Sequence, residues 1–386
     1  MTEISQFRFP TDIRFGAGSR SILAGFAKKY EVRRPLLVTD SGLPQTEAYA
    51  LVAEQMNQTW PGVYVEFTGV HPNPTDKDVD DALDSYIQGG CDGVVGLGGG
   101  SALDAAKALR LKVAFPDTPL MEMPFDELPA ILTPMCAIPT TAGTGSEVGR
   151  SSVITIQQLG RKAIFGGQPL MPELTILDPE LTVGLPAHLT ASTGMDAMTH
   201  AAEALVCPVF HPMCDAIALE AMRIVWNYLP KAYSDGADLQ ARGMMQVAAA
   251  MGAIAFQKDL GAAHSLSHPL SSEFGIQHGL ANAVCLVPVM KYNKEVSAAQ
   301  YARAAQCFGV NTFGMSELEA ADKAIEAIAA LKERIGIPKS LADLDVKEDQ
   351  LPLLAKKAFE DPCHLSNPRP CTEQDLLMLY KEAFTQ

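Results

Sequence analysis

Residues 91–111, CDGVVGLGGGSALDAAKALRL, predict an apolar strand, a glycine turn and a helix. In this order of elements, the backbone N–H groups of the turn and the helix N-terminus can face a phosphate. The spacing is not GxGxxG, and many glycine turns only close the chain between strand and helix. The candidate phosphate contacts in the turn are Gly98, Gly99, Gly100 and Ser101.

An earlier strand, PLLVTDSG at residues 35–42, is continuously apolar and ends in Asp40, as a buried parallel strand does. A carboxylate at this point can accept hydrogen bonds from a ribose 2′-hydroxyl and repel a 2′-phosphate, which favours NAD over NADP. The alternative interpretation is an aspartate that only caps a turn or a helix.

The next strand is followed by a loop rich in Thr, Gly and Ser, MCAIPTTAGTGSEV at residues 135–148. Its hydroxyls at Thr140, Thr141 and Thr144 can bind pyrophosphate or ribose, although such a loop can also be a simple turn. The succession of strands and helices predicts an α/β, Rossmann-like domain with a parallel sheet over residues 1–185. At its start, residues 7–15 alternate as a hairpin or an edge strand, which favours pairing with a second copy of the chain.

Beyond a linker at residues 178–186, strand-like runs largely end and helical periodicity takes over. This predicts an all-α second domain over residues 186–386. The helices are predicted at residues 189–206, 211–231, 237–258, 260–270, 279–292, 297–308, 316–334, 348–359 and 374–384.

Two stretches of the second domain carry candidate metal ligands. In STGMDAMTHAAEAL, residues 192–205, Asp196 and His200 are four apart and project from one helix face. In GAAHSLSHPLSSEFGIQHGLANAV, residues 261–284, His264 and His268 share a face, and His278 follows a break. One carboxylate with several imidazoles suits Fe²⁺ or Zn²⁺. Any single histidine here can instead be a hydrogen-bonded core or surface residue. Several imidazoles and a carboxylate in an apolar setting are costly, however, unless a partner such as a metal ion compensates them.

Composition narrows the classes of function. A net charge of −15 over 386 residues argues against nucleic acid or an anionic membrane as partner. No apolar run is long enough for a membrane span, and the N-terminus shows no signal peptide. The eight cysteines are scattered without a CxxC pair, which favours reduced thiols in a cytoplasmic protein.

The segments TGMDAMTHAAEA, GAAHSLSHPL and QHGLANAV resemble the signatures of the iron-containing (group III) alcohol dehydrogenases. The resemblance implies four metal ligands, Asp196, His200, His264 and His278, with Fe²⁺ or alternatively Zn²⁺ as the ion. His268 would then lie beside substrate and nicotinamide as a non-ligand, whereas HxxxH spacing alone suggests that both of its histidines are ligands. The family usually has Pro before the last ligand, where this chain has Gln277.

GGGSxxDxxK and PTTAGTGSEV are also similar to family signatures. They imply a dehydroquinate synthase-like architecture and a bound NAD, for which an aspartate at position 40 is associated with preference over NADP. The cofactor contacts that the resemblance adds are Asp104, Ser146, Lys162 and Leu181. Family members are often dimers, so a homodimer or a higher homo-oligomer is expected.

The implied activity is a metal-dependent, NAD(H)-linked alcohol dehydrogenase or aldehyde reductase acting on small primary alcohols or ω-hydroxy acids. The metal would activate the substrate oxygen and nicotinamide would exchange the hydride. His268 is the candidate for relaying the alcohol proton, since imidazole titrates near neutrality; a purely structural His268 is the alternative. Two other functions remain open: a dehydroquinate synthase-like lyase, and a nucleotide-binding regulatory module with a structural metal.

Substrate choice rests on weaker signals. Arg150 and Ser151 lie where relatives have pocket-lining residues, and an arginine there can pair with a substrate carboxylate; an internal ion pair between Arg150 and Glu147 is the alternative. QKDLGAAHSLSHPL and DPCHLSNP look most like 4-hydroxybutyrate dehydrogenases, which reduce succinate semialdehyde. The second segment contains His364, for which we consider a substrate contact and an exposed loop position.

Overall fold

The computed structural model describes residues 11–129 and 131–385, and the chain divides into two units between Leu185 and Pro186. The described strands and α-helices of the first unit are β1 Asp12–Phe15, α1 Leu23–Lys29, β2 Pro35–Asp40, α2 Glu47–Thr59, β3 Val65–Val70, α3 Asp76–Gly89, β4 Gly93–Gly98, α4 Gly100–Ala114, β5 Met135–Pro139, β6 Ser151–Ile156, β7 Arg161–Gly166 and β8 Leu174–Leu177.

Six of these strands form one parallel sheet in the order β1-β8-β5-β4-β2-β3. From β2 the chain moves outward to β3 at the edge, then returns to β4 on the other side of β2. The carboxyl ends of β2 and β4 therefore lie side by side where the direction of winding reverses. In open α/β sheets, ligands bind at this point. The predicted parallel-sheet domain is confirmed, and its switch point lies between Asp40 and Gly98.

The sheet is buried on both faces, which explains its nearly continuous apolar strands. Along β2, Leu36 and Val38 join a core cluster with residues of α3 and α4. Leu37, which points to the opposite face, joins a cluster with residues of α1 and α2. Thr75 caps the N-terminus of α3 in a capping box: its hydroxyl accepts from the backbone N–H of Asp78, and the carboxylate of Asp78 accepts from the backbone N–H of Thr75.

Two expectations for this unit can be compared with the structure. The described part of the N-terminal segment, β1, is an edge strand parallel to β8, as the edge-strand alternative predicts. The hairpin alternative involves residues 7–10, which lie outside the described residues. Lys162 follows the turn at Gly160 and lies in a strand that was not predicted, β7, which pairs antiparallel with β6. The short, partly polar sequence of β7 gave no alternating pattern that would identify a strand.

The second unit is built from helices. Its described α-helices are α5 Ala187–Val206, α6 Pro212–Ser234, α7 Leu239–Ala255, α8 Ala262–Phe274, α9 His278–Cys307, α10 Glu317–Arg334, α11 Leu351–Glu360 and α12 Glu373–Thr385. The two helices predicted at residues 279–292 and 297–308 together correspond to α9, which is divided by a kink at Ser297, where φ is −128° and ψ is 20°. Among the described residues, none of the helices combines the length and apolarity that crossing a membrane requires.

Candidate metal centre

Three helices of the second unit bring together one carboxylate and three imidazoles. Oδ1 of Asp196 in α5 lies 3.7 Å from Nε2 of His200, one helical turn away. The same oxygen lies 4.0 Å from Nε2 of His264 at the start of α8 and 3.6 Å from Nε2 of His278 at the start of α9. All three Nε2 atoms thus surround a single carboxylate oxygen.

Close approach of α9 to α5 depends on Gly279, the residue after His278. A Cβ at this position would lie 2.2 Å from the backbone oxygen of Ser192 and 3.0 Å from Cβ of Asp196. Any larger residue would push the start of α9 away from α5, so glycine allows His278 to reach Asp196.

Burial and mutual proximity govern the charges of this cluster. Asp196, His200 and His264 are buried, whereas the side chain of His278 is 27% exposed. Burial lowers the pKa of His264 well below its usual value, and neighbouring His200 lowers it further. Burial acts to raise the pKa of Asp196, but the imidazoles outweigh it and the net direction is downward. An ionised carboxylate beside a neutral imidazole is the protonation state that metal ligation requires.

Asn282, one turn beyond His278 in α9, shows how the acceptor atoms converge. Its Nδ2 lies 2.8 Å from Oδ1 of Asp196, 3.1 Å from Nε2 of His264 and 3.2 Å from Nε2 of His278. The amide N–H₂ carries two hydrogens, so it can donate to two of these three atoms at a time, and all three face one region. The ligand atoms of Asp196, His200 and His264 all lie within 4.8 Å of one another, and Nε2 of His278 is added through its 3.6 Å distance to Oδ1 of Asp196. Three imidazole nitrogens and one carboxylate oxygen are donors of the kind that suits Fe²⁺ or Zn²⁺.

His268 stands beside this cluster and has a different partner. Its Nδ1 lies 2.7 Å from Oδ2 of Asp361, and its ring stacks on that of His278 with centroids 5.3 Å apart. Asp361 also accepts from the hydroxyl of Ser265 and the N–H of Cys363. Burial acts to raise the pKa of Asp361. The hydrogen bonds from His268, Cys363 and Ser265 outweigh this effect, so the pKa of Asp361 is lowered.

A second buried carboxylate, Glu203 of α5, contacts the other nitrogen of His264. Its Oε2 lies 2.5 Å from Nδ1 of that ring, and its Oε1 accepts from the N–H of Ala263 at 2.7 Å. Burial raises the pKa of Glu203 to about 7, although the N–H groups around it favour the charged form. A carboxylate only accepts, so in this contact Nδ1 of His264 carries the ring proton and donates it to Glu203.

In the first unit, the glycine turn meets the loop that follows β5. A Cβ added at Gly98 would lie 3.3 Å from Oδ2 of Asp40, and one at Gly100 would lie 2.8 Å from the hydroxyl of Thr144. Thr141 lies against Gly99 in the same way. The structure therefore brings together the aspartate, the glycine turn and two of the three threonines at the switch point of the sheet.

The two carboxylate oxygens of Asp40 have different surroundings. Oδ1 accepts from the backbone N–H of Gly42 at 3.0 Å and of Leu43 at 3.1 Å, so the turn-capping interpretation describes this oxygen correctly. Oδ2 is the oxygen near Gly98. Among the described residues it accepts no hydrogen bond from the protein.

Asp104 and Ser146 form part of a buried network that holds the loop after β5. The hydroxyl of Ser146 donates to Oδ1 of Asp104 at 2.5 Å, and the N–H of Val153 donates to Oδ2. The fully buried Lys107 pairs with Asp104 at 3.2 Å and also donates to the backbone oxygens of Ser146 and Ser151.

The remaining candidates for cofactor contacts are more dispersed. Thr140 is buried, and its N–H donates to the oxygen of Gly98. The hydroxyl of Ser101 donates to the backbone oxygen of Pro72. Burial lowers the pKa of Lys162, partly offset by nearby Asp104. Leu181 packs in the core cluster under the sheet.

Two interpretations of the candidate substrate residues are wrong. Arg150 is exposed and forms no ion pair among the described residues; Glu147 is instead buried near Lys107, and burial raises its pKa to about 7. His364 is not an exposed loop residue, since it is 5% exposed and its Nε2 donates to the oxygen of Phe359 at 3.0 Å. Ser151, at the start of β6, is half-buried.

Sequence reasoning missed Glu203, Asn282 and Asp361. Two of them lie within about one helical turn of a predicted ligand: Glu203 is three residues after His200, and Asn282 is four residues after His278. Positions three or four apart share a helix face, and this was the available signal for both. For Asp361 there was no signal, because it meets His268 only through tertiary structure.

Comparison with known proteins gives a consistent picture. The family description "Iron-containing alcohol dehydrogenase" matches residues 10–179, and "Fe-containing alcohol dehydrogenase family, C-terminal" matches residues 190–384. An NAD-dependent methanol dehydrogenase of Bacillus methanolicus is 36% identical over 381 residues, covering 98% of this chain and all of the relative. A 4-hydroxybutyrate dehydrogenase of Cupriavidus necator is 36% identical over 387 residues, covering 97% and 98% of the two chains.

The fold comparison agrees with the sequence comparison. The crystal structure of a 1,3-propanediol oxidoreductase matches 99% of this chain and all of its own, with a TM-score of 0.95 and 36% identity. Both family descriptions and full-length relatives therefore account for the α/β unit and the helical unit alike. The chain belongs to the iron-containing alcohol dehydrogenase family.

Proposed function

We propose that this alcohol dehydrogenase interconverts small primary alcohols or ω-hydroxy acids with their aldehydes, using NAD(H) and a divalent ion held by Asp196, His200, His264 and His278. The observation that carries the proposal is the convergence of three imidazole Nε2 atoms within 4.0 Å of one carboxylate oxygen. When bound, Fe²⁺ or Zn²⁺ supplies Lewis-acid polarisation of the substrate oxygen, and NAD accepts the hydride.

His268 is proposed to move the alcohol proton towards solvent. The contact with Asp361 holds Nδ1, so Nε2 is the nitrogen that can accept a proton. The side chain is 20% exposed, whereas that of His264 is 1% exposed, so a route to solvent exists at His268. A general base needs this combination of fixed orientation and access.

For NAD we propose a site on the first unit at the switch point between β2 and β4. Oδ2 of Asp40 would accept from a ribose hydroxyl, and its charge would disfavour the extra phosphate of NADP. The turn at Gly98, Gly99, Gly100 and Ser101 would bind pyrophosphate through backbone N–H groups, because no Cβ covers them. Thr140, Thr141 and Thr144 would add hydroxyl contacts, while Asp104 and Ser146 hold the loop in place.

A 4-hydroxybutyrate dehydrogenase activity is the more specific candidate. Arg150 is exposed and has no carboxylate partner among the described residues, so its guanidinium is available to a substrate carboxylate. The curated relatives differ in the substrate that their names state, methanol in one and 4-hydroxybutyrate in another, at the same 36% identity. Identity alone therefore does not choose between an alcohol and an ω-hydroxy acid.

We further propose a cytoplasmic homodimer or higher homo-oligomer. All eight cysteines are free, as expected in a reducing compartment. Strand β1 lies at the edge of the parallel sheet, and Phe15 at its end is 52% exposed. An edge strand with an exposed aromatic residue favours pairing with a second copy.

The test is a panel of alcohols and aldehydes assayed with NAD(H), together with elemental analysis of the purified protein. We expect steady NADH production from a primary alcohol, its loss on treatment with a chelator, and recovery with Fe²⁺ or Zn²⁺. Turnover that survives complete removal of metal would contradict the proposal. Consumption of a substrate without net NADH production would favour the lyase alternative.

A further inference from the structure

We propose that Glu203 is a positioning residue for the metal centre: it fixes the proton of His264 on Nδ1 and thereby makes Nε2 the nitrogen that binds the ion. This inference rests on the proposed function, because it takes His264 to be a ligand. Glu203 is not among the residues predicted to bind the metal or the cofactor, so the proposal gives this carboxylate a new role.

The first argument is the contact itself. Oε2 of Glu203 and Nδ1 of His264 are 2.5 Å apart, and both side chains are buried. On the far side of the ring, Nε2 lies 4.0 Å from Oδ1 of Asp196 and 3.1 Å from Nδ2 of Asn282. The ring therefore bridges two buried carboxylates, one at each nitrogen. A neutral imidazole can donate from only one nitrogen, so the contact at Nδ1 decides the state of Nε2.

The second argument concerns the start of α8. Oε1 of Glu203 accepts from the N–H of Ala263 at 2.7 Å, so the same carboxylate binds the first turn of the helix that carries His264. Gly261 is required for this approach, since a Cβ there would lie 2.9 Å from Oε1 of Glu203. The carboxylate thus fixes both the backbone position and the ring orientation of His264.

The consequence for metal binding follows from general coordination chemistry. A carboxylate that accepts from the distal N–H of a ligating imidazole orients the ring and raises the basicity of the ligating nitrogen. Without this partner, the ring can take the other tautomer, in which Nε2 carries the proton and cannot bind a cation. Loss of such a partner lowers metal affinity roughly 10- to 100-fold.

Asn367 provides a matched control. Its Oδ1 accepts from the N–H of Ala262 at 3.3 Å, the residue before Ala263, so it also supports the start of α8. It also pairs with Asn293 in a buried reciprocal contact. Among the described residues, the side chain of Asn367 forms no hydrogen bond with an imidazole. Asn367→Ala should therefore weaken the same helix start without changing the tautomer of His264.

The experiment measures Co²⁺ affinity of the metal-depleted full-length protein by competition with a chromophoric chelator, for wild type, Glu203→Gln, Asn367→Ala and His264→Ala. We expect Glu203→Gln to bind Co²⁺ roughly 10- to 100-fold more weakly while remaining folded, and Asn367→Ala to lose thermal stability but little affinity. Unchanged affinity in folded Glu203→Gln, or an equal loss in Asn367→Ala, would overturn the proposal.

Two further readouts separate the possible failures. Nitrogen-15 NMR of histidine-labelled, metal-depleted wild type should show the His264 proton on Nδ1; a proton on Nε2 would overturn the role of Glu203 even if the variants did not fold. If wild type binds no Co²⁺, or His264→Ala binds it as tightly as wild type, the metal centre itself is contradicted. If only Glu203→Gln behaves like wild type, the metal centre stands and the positioning role does not.

Discussion

Nε2 of His278 lies 3.6 Å from Oδ1 of Asp196, although His278 is the first residue of α9 and Asp196 lies in α5. Gly279 makes this approach possible, and His264 enters from a third helix to face the same oxygen. Three helices thus bring charged and titratable groups into a largely buried site. Burying the carboxylate of Asp196 costs free energy of desolvation, which a bound cation would offset.

We expect His278→Ala to lose bound metal and turnover together, because one of four donors is removed and its neighbours no longer close around the ion. His188→Ala is the matched control, since His188 is an exposed histidine of the same helix as Asp196. Elemental analysis and NADH production should be measured on the same samples. Full metal content in inactive His278→Ala would show that this histidine is not a ligand.

Asp40→Gly should shift the cofactor preference from NAD towards NADP, by roughly tenfold or more in the ratio of kcat/KM values, which corresponds to about 1.4 kcal/mol. The reason is loss of the charge at Oδ2 near Gly98. Asp40→Asn tests the charge separately, because its Oδ1 can still accept from Gly42 and Leu43. A cofactor ratio that is unchanged in both variants would contradict the ribose role.

Arg150→Ala should raise KM for 4-hydroxybutyrate roughly tenfold or more, as loss of a charge-assisted hydrogen bond implies, while KM for butanol changes little. Arg161→Ala removes a second exposed arginine of the same unit and controls for net charge. Equal effects of Arg150→Ala on both substrates would assign Arg150 no role in recognising a carboxylate.

Glu147→Gln should stabilise the protein at pH 8 and much less at pH 5. Burial raises the pKa of Glu147 from 4.5 to about 7, so its folded form holds a proton more tightly than its unfolded form. The resulting stabilisation is complete below the unfolded pKa and is lost as pH rises through the folded one. At pH 8 the ionised carboxylate thus costs on the order of 3 kcal/mol, which an uncharged glutamine avoids.

Thermal unfolding midpoints of wild type and Glu147→Gln, compared at the two pH values, check this prediction. The variant should have the higher midpoint at pH 8, and the difference should shrink at pH 5. A difference that grows as pH falls would show that Glu147 is ionised in the folded protein at both values.

Much of the fold followed from the sequence because local patterns and tertiary structure agree. The apolar run ending at Asp40 and the strand before Gly98 became neighbouring parallel strands, as continuous burial predicts. Strand β7 escaped prediction because it is short and pairs only with β6. The predicted division of residues 279–308 into two helices agrees with the kink at Ser297, where the backbone leaves helical φ and ψ values.

Helical spacing predicted only part of this arrangement. Asp196 and His200 share a helix face, and Oδ1 of the first lies 3.7 Å from Nε2 of the second. His264 and His268 share a helix, but His268 forms a hydrogen bond with Asp361, which is far away in sequence. Glu203 shows the same limit, since its contact with His264 joins α5 to α8 and depends on how these helices pack. Sequence periodicity identifies faces of a helix, and only packing decides which partner each face meets.

The most direct test of the metal centre is a crystal structure of the iron-loaded protein with anomalous diffraction measured at the iron edge. We predict one strong peak per chain, roughly 2 Å from Nε2 of His200, His264 and His278 and from a carboxylate oxygen of Asp196. A protein with full activity whose only iron peak lies away from these four side chains would contradict the account.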